Sequence, residues 1–370
     1  MIKLLRAFFE NCFLKYGNKE FLPLYGTVIL YVAAIRLIAV ERGWSDHLNA
    51  LPYLNAVLLV TGFVIFLMVI YHTLRIMICE RPKHLSRTLV AYFKENYLTK
   101  ERLFTGLTLL IFYKIFIAAF SGFKAMIPLI HPFGWDSEFY LLDQKMHFGH
   151  SPWELSHMLV GSAWGSYAIN FVYNLWFPIK FLVMYFLAFS LVRPTLRTQF
   201  FYTFFLAWMV NGSLLALLFS SAGPCYFDVA GGLPHGAYEP LMERLATQSD
   251  WLFAETGKLK LYALQTQTML WDLYQTNGTA LGSGISAFPS MHVSVAALIL
   301  FYGLERGGMV KWASILFFVF IAIGSVHLGW HYAIDGYVGF FLTWVIWRLV
   351  KIAIPQQQEP ETVSDDSKSA

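Results

Sequence analysis

The chain has 370 residues, of which 57% are hydrophobic and 18% aromatic, while charged residues make up only 14% and the formal net charge is +4. A soluble domain carries about 25% charged residues, so this composition, with a mean hydropathy of +0.53, excludes a water-soluble globule and places most of the chain in lipid. Cys12, Cys79 and Cys225 are the only cysteines; with no CxxC pair and wide spacing they exclude a disulfide scaffold and a zinc site.

In chain order, Met1 to Tyr16 is weakly amphipathic and has no signal-peptide cleavage pattern. A requirement of about 20 apolar residues per span then predicts eight transmembrane helices: 22–41, 52–74, 103–121, 172–192, 199–220, 288–304, 312–330 and 333–352. A ninth apolar stretch, Trp153 to Ile169, is broken by Gly161, Ser162, Gly165 and Ser166 and reads as an interfacial or re-entrant helix. The acidic tail, 355–370, has the composition of a disordered segment.

Basic residues orient these spans. Arg75, Arg81, Lys83, Arg87, Lys94, Lys100 and Arg102 crowd one loop, and Arg193 with Arg197, Arg306 with Lys311, and Arg348 with Lys351 mark three more helix ends. All four clusters fall on the cytoplasmic side if the count is eight and both termini are cytoplasmic. The segments Gly122 to Phe171 and Ser221 to Ala287 then lie outside. The fold expected is an all-α polytopic membrane protein, with N-terminal helices and a first outer loop (1–150), a catalytic membrane domain (151–354) and the tail (355–370).

Two polar motifs interrupt the apolar C-terminal third: Phe288-Pro289-Ser290-Met291-His292 and His331-Tyr332-Ala333-Ile334-Asp335. Ionisable side chains are costly beside hydrocarbon and mark function by default. The topology puts both motifs on the same outer face. His331 and Asp335, four residues apart, share one helical face; the carboxylate can fix the imidazole tautomer and raise its basicity, the base–orienter half of a triad. His292 has no such carboxylate. It follows Pro289 and Ser290 at a helix start, with Ser286 or Ser290 as the cap, where free amides and the helix dipole suit a phosphate. The plainer reading, hydrogen-bonded structural histidines, fits either one alone better than the pair.

These residues resemble the type 2 phosphatidic acid phosphatase superfamily. Its Pro-Ser-Gly-His motif is similar to Pro289-Ser290-Met291-His292, with Met for Gly, and the end of its third motif is matched by His331 and Asp335. The Ser-Arg pair of that third motif falls on Gly324-Ser325, so its arginine is missing. The first motif has no outer-face match; Arg193-Pro194 is a decoy at a cytoplasmic end. Phe-Pro-Ser-x-His and His-Tyr-x-x-Asp resemble the inositol phosphorylceramide synthase-like branch, as does Gly223-Pro224-Cys225-Tyr226. The resemblance implies that His331 attacks phosphorus, Asp335 orients it, and His292 protonates the departing oxygen. It implies no metal and no cofactor.

The missing arginine leaves the phosphate charge to other cations. Lys180, Lys124, Lys145 and His327 are the candidates; an intramembrane lysine such as Lys180, inside the fourth span, usually has a partner, here a phosphate, and the plainer readings are a structural pair with a carboxylate or snorkelling. Candidate phosphate contacts are therefore Ser290, Lys180, His327, Gly223, Pro224 and Tyr226. His147-x-x-His150 has metal-like spacing but lacks further ligands, Asn277-Gly278-Thr279 is a formal glycosylation sequon, and 238–274 is either an amphipathic lid or an ordinary surface loop.

The expected activity is transfer of a phospho-head group from a membrane phospholipid donor to a lipid hydroxyl acceptor, sphingolipid included. A lipid phosphate phosphatase, with water as acceptor, is the alternative within the class; a transporter or a non-catalytic lipid-binding relative is the alternative outside it. No nucleic-acid partner is expected. The location expected is the cell membrane, the bacterial inner membrane if the host is bacterial, with the site facing the periplasm or lumen.

Overall fold

In hydrocarbon every peptide group must find its partner within its own segment, so long apolar runs become helices. The computed structural model describes residues 19–48, 51–190, 193–278 and 282–354. The N-terminal 16 residues with Cys12, the acidic tail, and Thr279 of the sequon lie outside them. Helices α1 (Leu22–Glu41), α2 (Leu51–Arg75), α3 (Leu85–Asn96) and α4 (Lys100–Ile130) come first. Then follow α5 (Asp136–Met146), α6 (Pro152–Leu159), α7 (Ala163–Asn174), α8 (Trp176–Phe189) and α9 (Pro194–Met209). The chain ends with α10 (Glu239–Thr256), α11 (Tyr262–Gln275), α12 (Met291–Arg306), α13 (Gly308–His327) and α14 (Ala333–Ala353). No strand occurs among the described residues.

Among the described residues, seven segments are long and apolar enough to cross a membrane: Lys19–Glu41, Leu59–Glu80, Lys100–Ile130, Ala163–Phe189, Pro194–Leu218, Gly308–His327 and Ala333–Ala353. The sequence predicts eight. The difference is α12, which begins only at Met291 and, with 16 residues, is about 24 Å long at 1.5 Å per residue. The broken stretch 153–169 also resolves differently. Its first half is α6, and its second half, capped by Ser162 accepting from Gly165 N at 3.1 Å, runs on with α8 as the fourth span. That span thus starts nine residues earlier than its hydropathy suggests.

The centre of the bundle is α9 and α12, against α13 and α14. Phe200, Phe201, Phe204 and Phe205 of α9 are buried in one large aromatic-rich core. Between the helices, Asn211 donates to Ser294 Oγ (3.1 Å) and Thr343 Oγ1 (3.3 Å), an interhelical polar contact of the kind that ties helices together in hydrocarbon. Gly339 lets α14 approach α12 closely: a Cβ there would stand 2.8 Å from Ser290 O. Large apolar side chains such as Leu30, Leu59, Phe186 and Ile352 remain exposed around the bundle, the surface expected against lipid.

The two ends of the bundle differ. At one end Glu305 accepts from Trp347 Nε1 and Lys351 Nζ, and Arg193 donates to the Glu305 carbonyl. At the opposite end α12 and α14 begin, α13 finishes, and α5, α6, α10 and α11 gather. That end carries both histidine motifs.

Candidate active site

Three loops meet at this end and are sewn together by their backbones. Ala287 N donates to Ser221 O (3.0 Å), Cys225 N to Gly329 O (2.9 Å), and Ser290 N to Asp335 O (3.0 Å). Gly223, at φ +101°, passes so near Trp330 that a Cβ would lie 2.8 Å from its carbonyl oxygen; only glycine fits that backbone and that gap. Gly223 and Pro224 thus shape the loop next to His331.

His331 is buried between them. Its Nδ1 lies 2.9 Å from Ala287 O and 3.3 Å from Asp335 Oδ2. A carbonyl only accepts, so Nδ1 carries the proton and Nε2 the free lone pair. Burial holds this imidazole down at about 3, with the charge of Lys124 adding to the effect against the Ala287 bond, so the ring stays neutral and nucleophilic throughout the physiological range. Asp335 also accepts from Tyr332 N at 3.0 Å, which ties its carboxylate to the first turn of α14.

His292 sits in the first turn of α12, its ring 5.7 Å from that of His331. Ser290 is the N-cap, accepting from Val293 N at 3.3 Å. Tyr173, Trp176 and Phe177 wall the His292 ring, Tyr173 stacked at 4.9 Å and Trp176 tilted at 4.4 Å. Trp176 Nε1 also donates to the His292 carbonyl at 3.0 Å. Position therefore comes from aromatic packing, in contrast to the hydrogen-bonded His331.

Two lysines flank the pair. Lys180, 5% exposed, has its ammonium 4.1 Å from the centre of the same Trp176 ring and within 5.4 Å of Phe177, Phe181 and Trp208. No carboxylate pairs with it among the described residues. Lys124 of α4 is a charged neighbour of both histidines, and Gly284 brings its loop onto the backbone of Lys124 and Ala125.

Other candidates are engaged elsewhere. His327 is fully buried, with Nδ1 3.1 Å from Ser156 Oγ, Nε2 2.9 Å from Ser166 Oγ and its ring stacked 3.7 Å from His157. Both ring nitrogens are spent on hydroxyls, which removes it from the free cations. Tyr226 donates to Gln267 O and stacks on Trp271, toward α11. Lys145 is exposed. His147 bonds Asp143 O and Tyr337 OH, not a metal partner set.

Sequence reasoning missed Asp136 and Asp143. Both are buried on α5. Asp136 accepts from Ala222 N, Gly223 N (2.8 Å) and Tyr332 OH (2.8 Å), while Asp143 accepts from Ala333 N (2.7 Å) and Ile334 N (3.0 Å). The available signal was Asp136-x6-Asp143 at two-turn spacing on one helical face.

A model of the PAP2 superfamily matches residues 137–349, the stretch that contains the histidine pair and its carboxylate. The chain belongs to the PAP2 superfamily. The match begins in α5, one residue after Asp136, and ends in α14, so it takes in Asp143, His292, His331 and Asp335. Membership makes this a phosphatase- or phosphotransferase-type lipid enzyme. Neither a curated protein nor a solved structure matches the chain.

Proposed function

We propose that this PAP2 superfamily member is a lipid phosphotransferase, of the inositol phosphorylceramide synthase-like kind, that moves a phospho-head group from a phospholipid to a lipid hydroxyl at the outer membrane face. The observation that carries the reading is His331, with its Nδ1 proton held by Ala287 O and Asp335 and its Nε2 lone pair free beside His292.

In the proposed cycle His331 Nε2 attacks phosphorus and the bond to the donor's glyceride oxygen breaks. His292, protonated once the bound phosphate offsets the charges of Lys124 and Lys180 beside it, gives that oxygen its proton. The acceptor hydroxyl then loses its proton to His292 and attacks phosphorus, the P–N bond breaks, and His331 returns to neutrality. Asp335 balances the positive charge on His331 between the two steps. Lys180 and Lys124 face the phosphoryl oxygens and replace the missing arginine. Ser290 and Gly223-Pro224 shape the phosphate site through the backbone. Orientation is supported by Arg193 and Lys351, which meet at Glu305 at the end opposite the histidines.

The phosphatase alternative keeps every step but uses water in the second half. Purified protein in detergent, given fluorescent phosphatidate or phosphatidylinositol with and without ceramide or diacylglycerol, separates the two. A new phosphorylated lipid, a phosphodiester from phosphatidylinositol or a phosphomonoester from phosphatidate, supports transfer; released phosphate or phospho-head group regardless of acceptor supports hydrolysis and contradicts transfer.

A further inference from the structure

The amides that open α14 face the carboxylate of Asp143. Helix N-termini leave their first amides without partners, and in a phosphoryl-transfer site such amides ordinarily serve the substrate. Here Asp143, projecting from α5, accepts from both Ala333 N and Ile334 N at 2.7 and 3.0 Å. These two residues lie between His331 and Asp335. Two turns earlier on α5, Asp136 holds Ala222 N, Gly223 N and the hydroxyl of Tyr332. A single helix outside the spans thus grips the loop beside His331 and the turn that contains it.

We propose that Asp143 is a positioning residue for His331 and Asp335: its ionised carboxylate clamps the first turn of α14 in the reactive geometry, and protonation of that carboxylate releases the turn and sets the acid limit of activity. This rests on the reading of His331 as nucleophile.

The chemistry of the clamp fixes its sign. An ionised carboxylate offers acceptor sites on both oxygens, whereas a protonated one has an O–H where one acceptor stood, so both amides are held well only by the anion. Asp143 is surrounded by groups that decide when it ionises. His147, just past the end of α5, favours the anion, and Asp335 opposes it, while Asp136 is turned to Ala222, Gly223 and Tyr332; Tyr238 and Tyr337, from the segment before α10 and from α14, are neutral. Burial dominates and pushes the carboxyl up to about 6, against the two amide bonds and His147. His331, held down at about 3, is already neutral there and cannot supply a limit near that value.

Hydrogen–deuterium exchange of the full-length protein in detergent, corrected for intrinsic rates, tests the clamp without any substrate. Exchange at residues 333–334 is expected to rise at least about tenfold in Asp143→Asn at pH 7.5 and in the wild type between pH 7.5 and pH 5. In parallel, turnover of fluorescent phosphatidate or phosphatidylinositol by the wild type is expected to fall below about pH 6, through kcat and not KM. Asp143→Asn is expected to be slow and to lack that limb. Unchanged exchange at 333–334, or an Asp143→Asn enzyme with the wild-type acid limb, overturns the proposal. Should Asp143→Asn fail to fold, the wild-type exchange difference between the two pH values still decides it. If His331→Ala keeps full turnover, the nucleophile reading fails while the exchange result stands on its own.

Discussion

The carbonyl oxygen of Ala287 lies 2.9 Å from Nδ1 of His331, closer than the Asp335 carboxylate at 3.3 Å. The tautomer of the nucleophile is therefore fixed by the backbone, and the carboxylate's distinct contribution is charge. In serine-protease triads, where the carboxylate alone fixes the tautomer, changing it to the amide costs about 10⁴-fold. Asp335→Asn is expected to cost less, about 10²- to 10³-fold in kcat, while His331→Gln abolishes turnover. Steady-state kinetics of the two variants check this; an Asp335→Asn enzyme as dead as His331→Gln would contradict the division of roles.

Lys124 and Lys180 are expected to act on substrate charge. Removing one charge-assisted contact costs roughly 1.5–3 kcal/mol, so Lys124→Gln and Lys180→Gln should each lower kcat/KM by about 10- to 100-fold. Lys124→Arg should recover part of the loss, since it restores the charge. Lys180→Arg should not, because four aromatic rings enclose a compact ammonium. Binding of orthovanadate by the same variants, measured by protection in thermal unfolding, should weaken in the same order.

Gly223→Ala meets both a positive φ and the Trp330 carbonyl. Strain of this kind costs of order 1–3 kcal/mol, and the displaced loop carries the amide held by Asp136. A lower thermal midpoint together with at least about tenfold slower turnover is expected. Activity at the wild-type level would show that the loop beside His331 does not need this approach.

Asp143 should also make stability depend on pH, in the direction opposite to activity. Burial raises its folded pKa from the ordinary carboxylate value of 3.8 to about 6. Its contribution is then fully present below 3.8 and is lost as pH rises through about 6, amounting to about 3 kcal/mol at most. Comparing wild type with Asp143→Asn in urea at pH 4.5 and pH 7.5 cancels the other titrating groups. Wild type should lose ground to the variant at the higher pH, where it is the more active of the two.

Much of this was legible in the sequence because hydrocarbon tolerates so few patterns. Apolar runs predicted the spans apart from α12, which is shorter than the run suggests because Phe288 to Ser290 belong to the loop that receives Asp335 and Ser221. Four-residue spacing predicted the His331–Asp335 contact, although His331 precedes α14 and Asp335 reaches back to it from the first turn instead of sharing a helical face, and Ser290 is one of the two caps anticipated. Less was legible where a partner comes from a distant helix. Nothing near His331 in sequence points to Ala287, and nothing near Ala333 points to Asp143, 190 residues away. His327 shows the converse: one turn before His331 it resembles a phosphate contact, yet the serines that occupy it, Ser156 and Ser166, are brought in by α6 and α7.

The central claim, that His331 forms a bond to phosphorus, is tested most directly by trapping. Full-length protein is mixed with phospholipid labelled at phosphorus and quenched in alkali, where phosphohistidine survives, and peptides spanning 328–340 are sequenced by mass spectrometry. A labelled adduct on His331, absent in His331→Gln and accumulating in an enzyme deprived of acceptor, is the result expected. Turnover by an enzyme that never carries label on His331, or labelling that persists in His331→Gln, would contradict it.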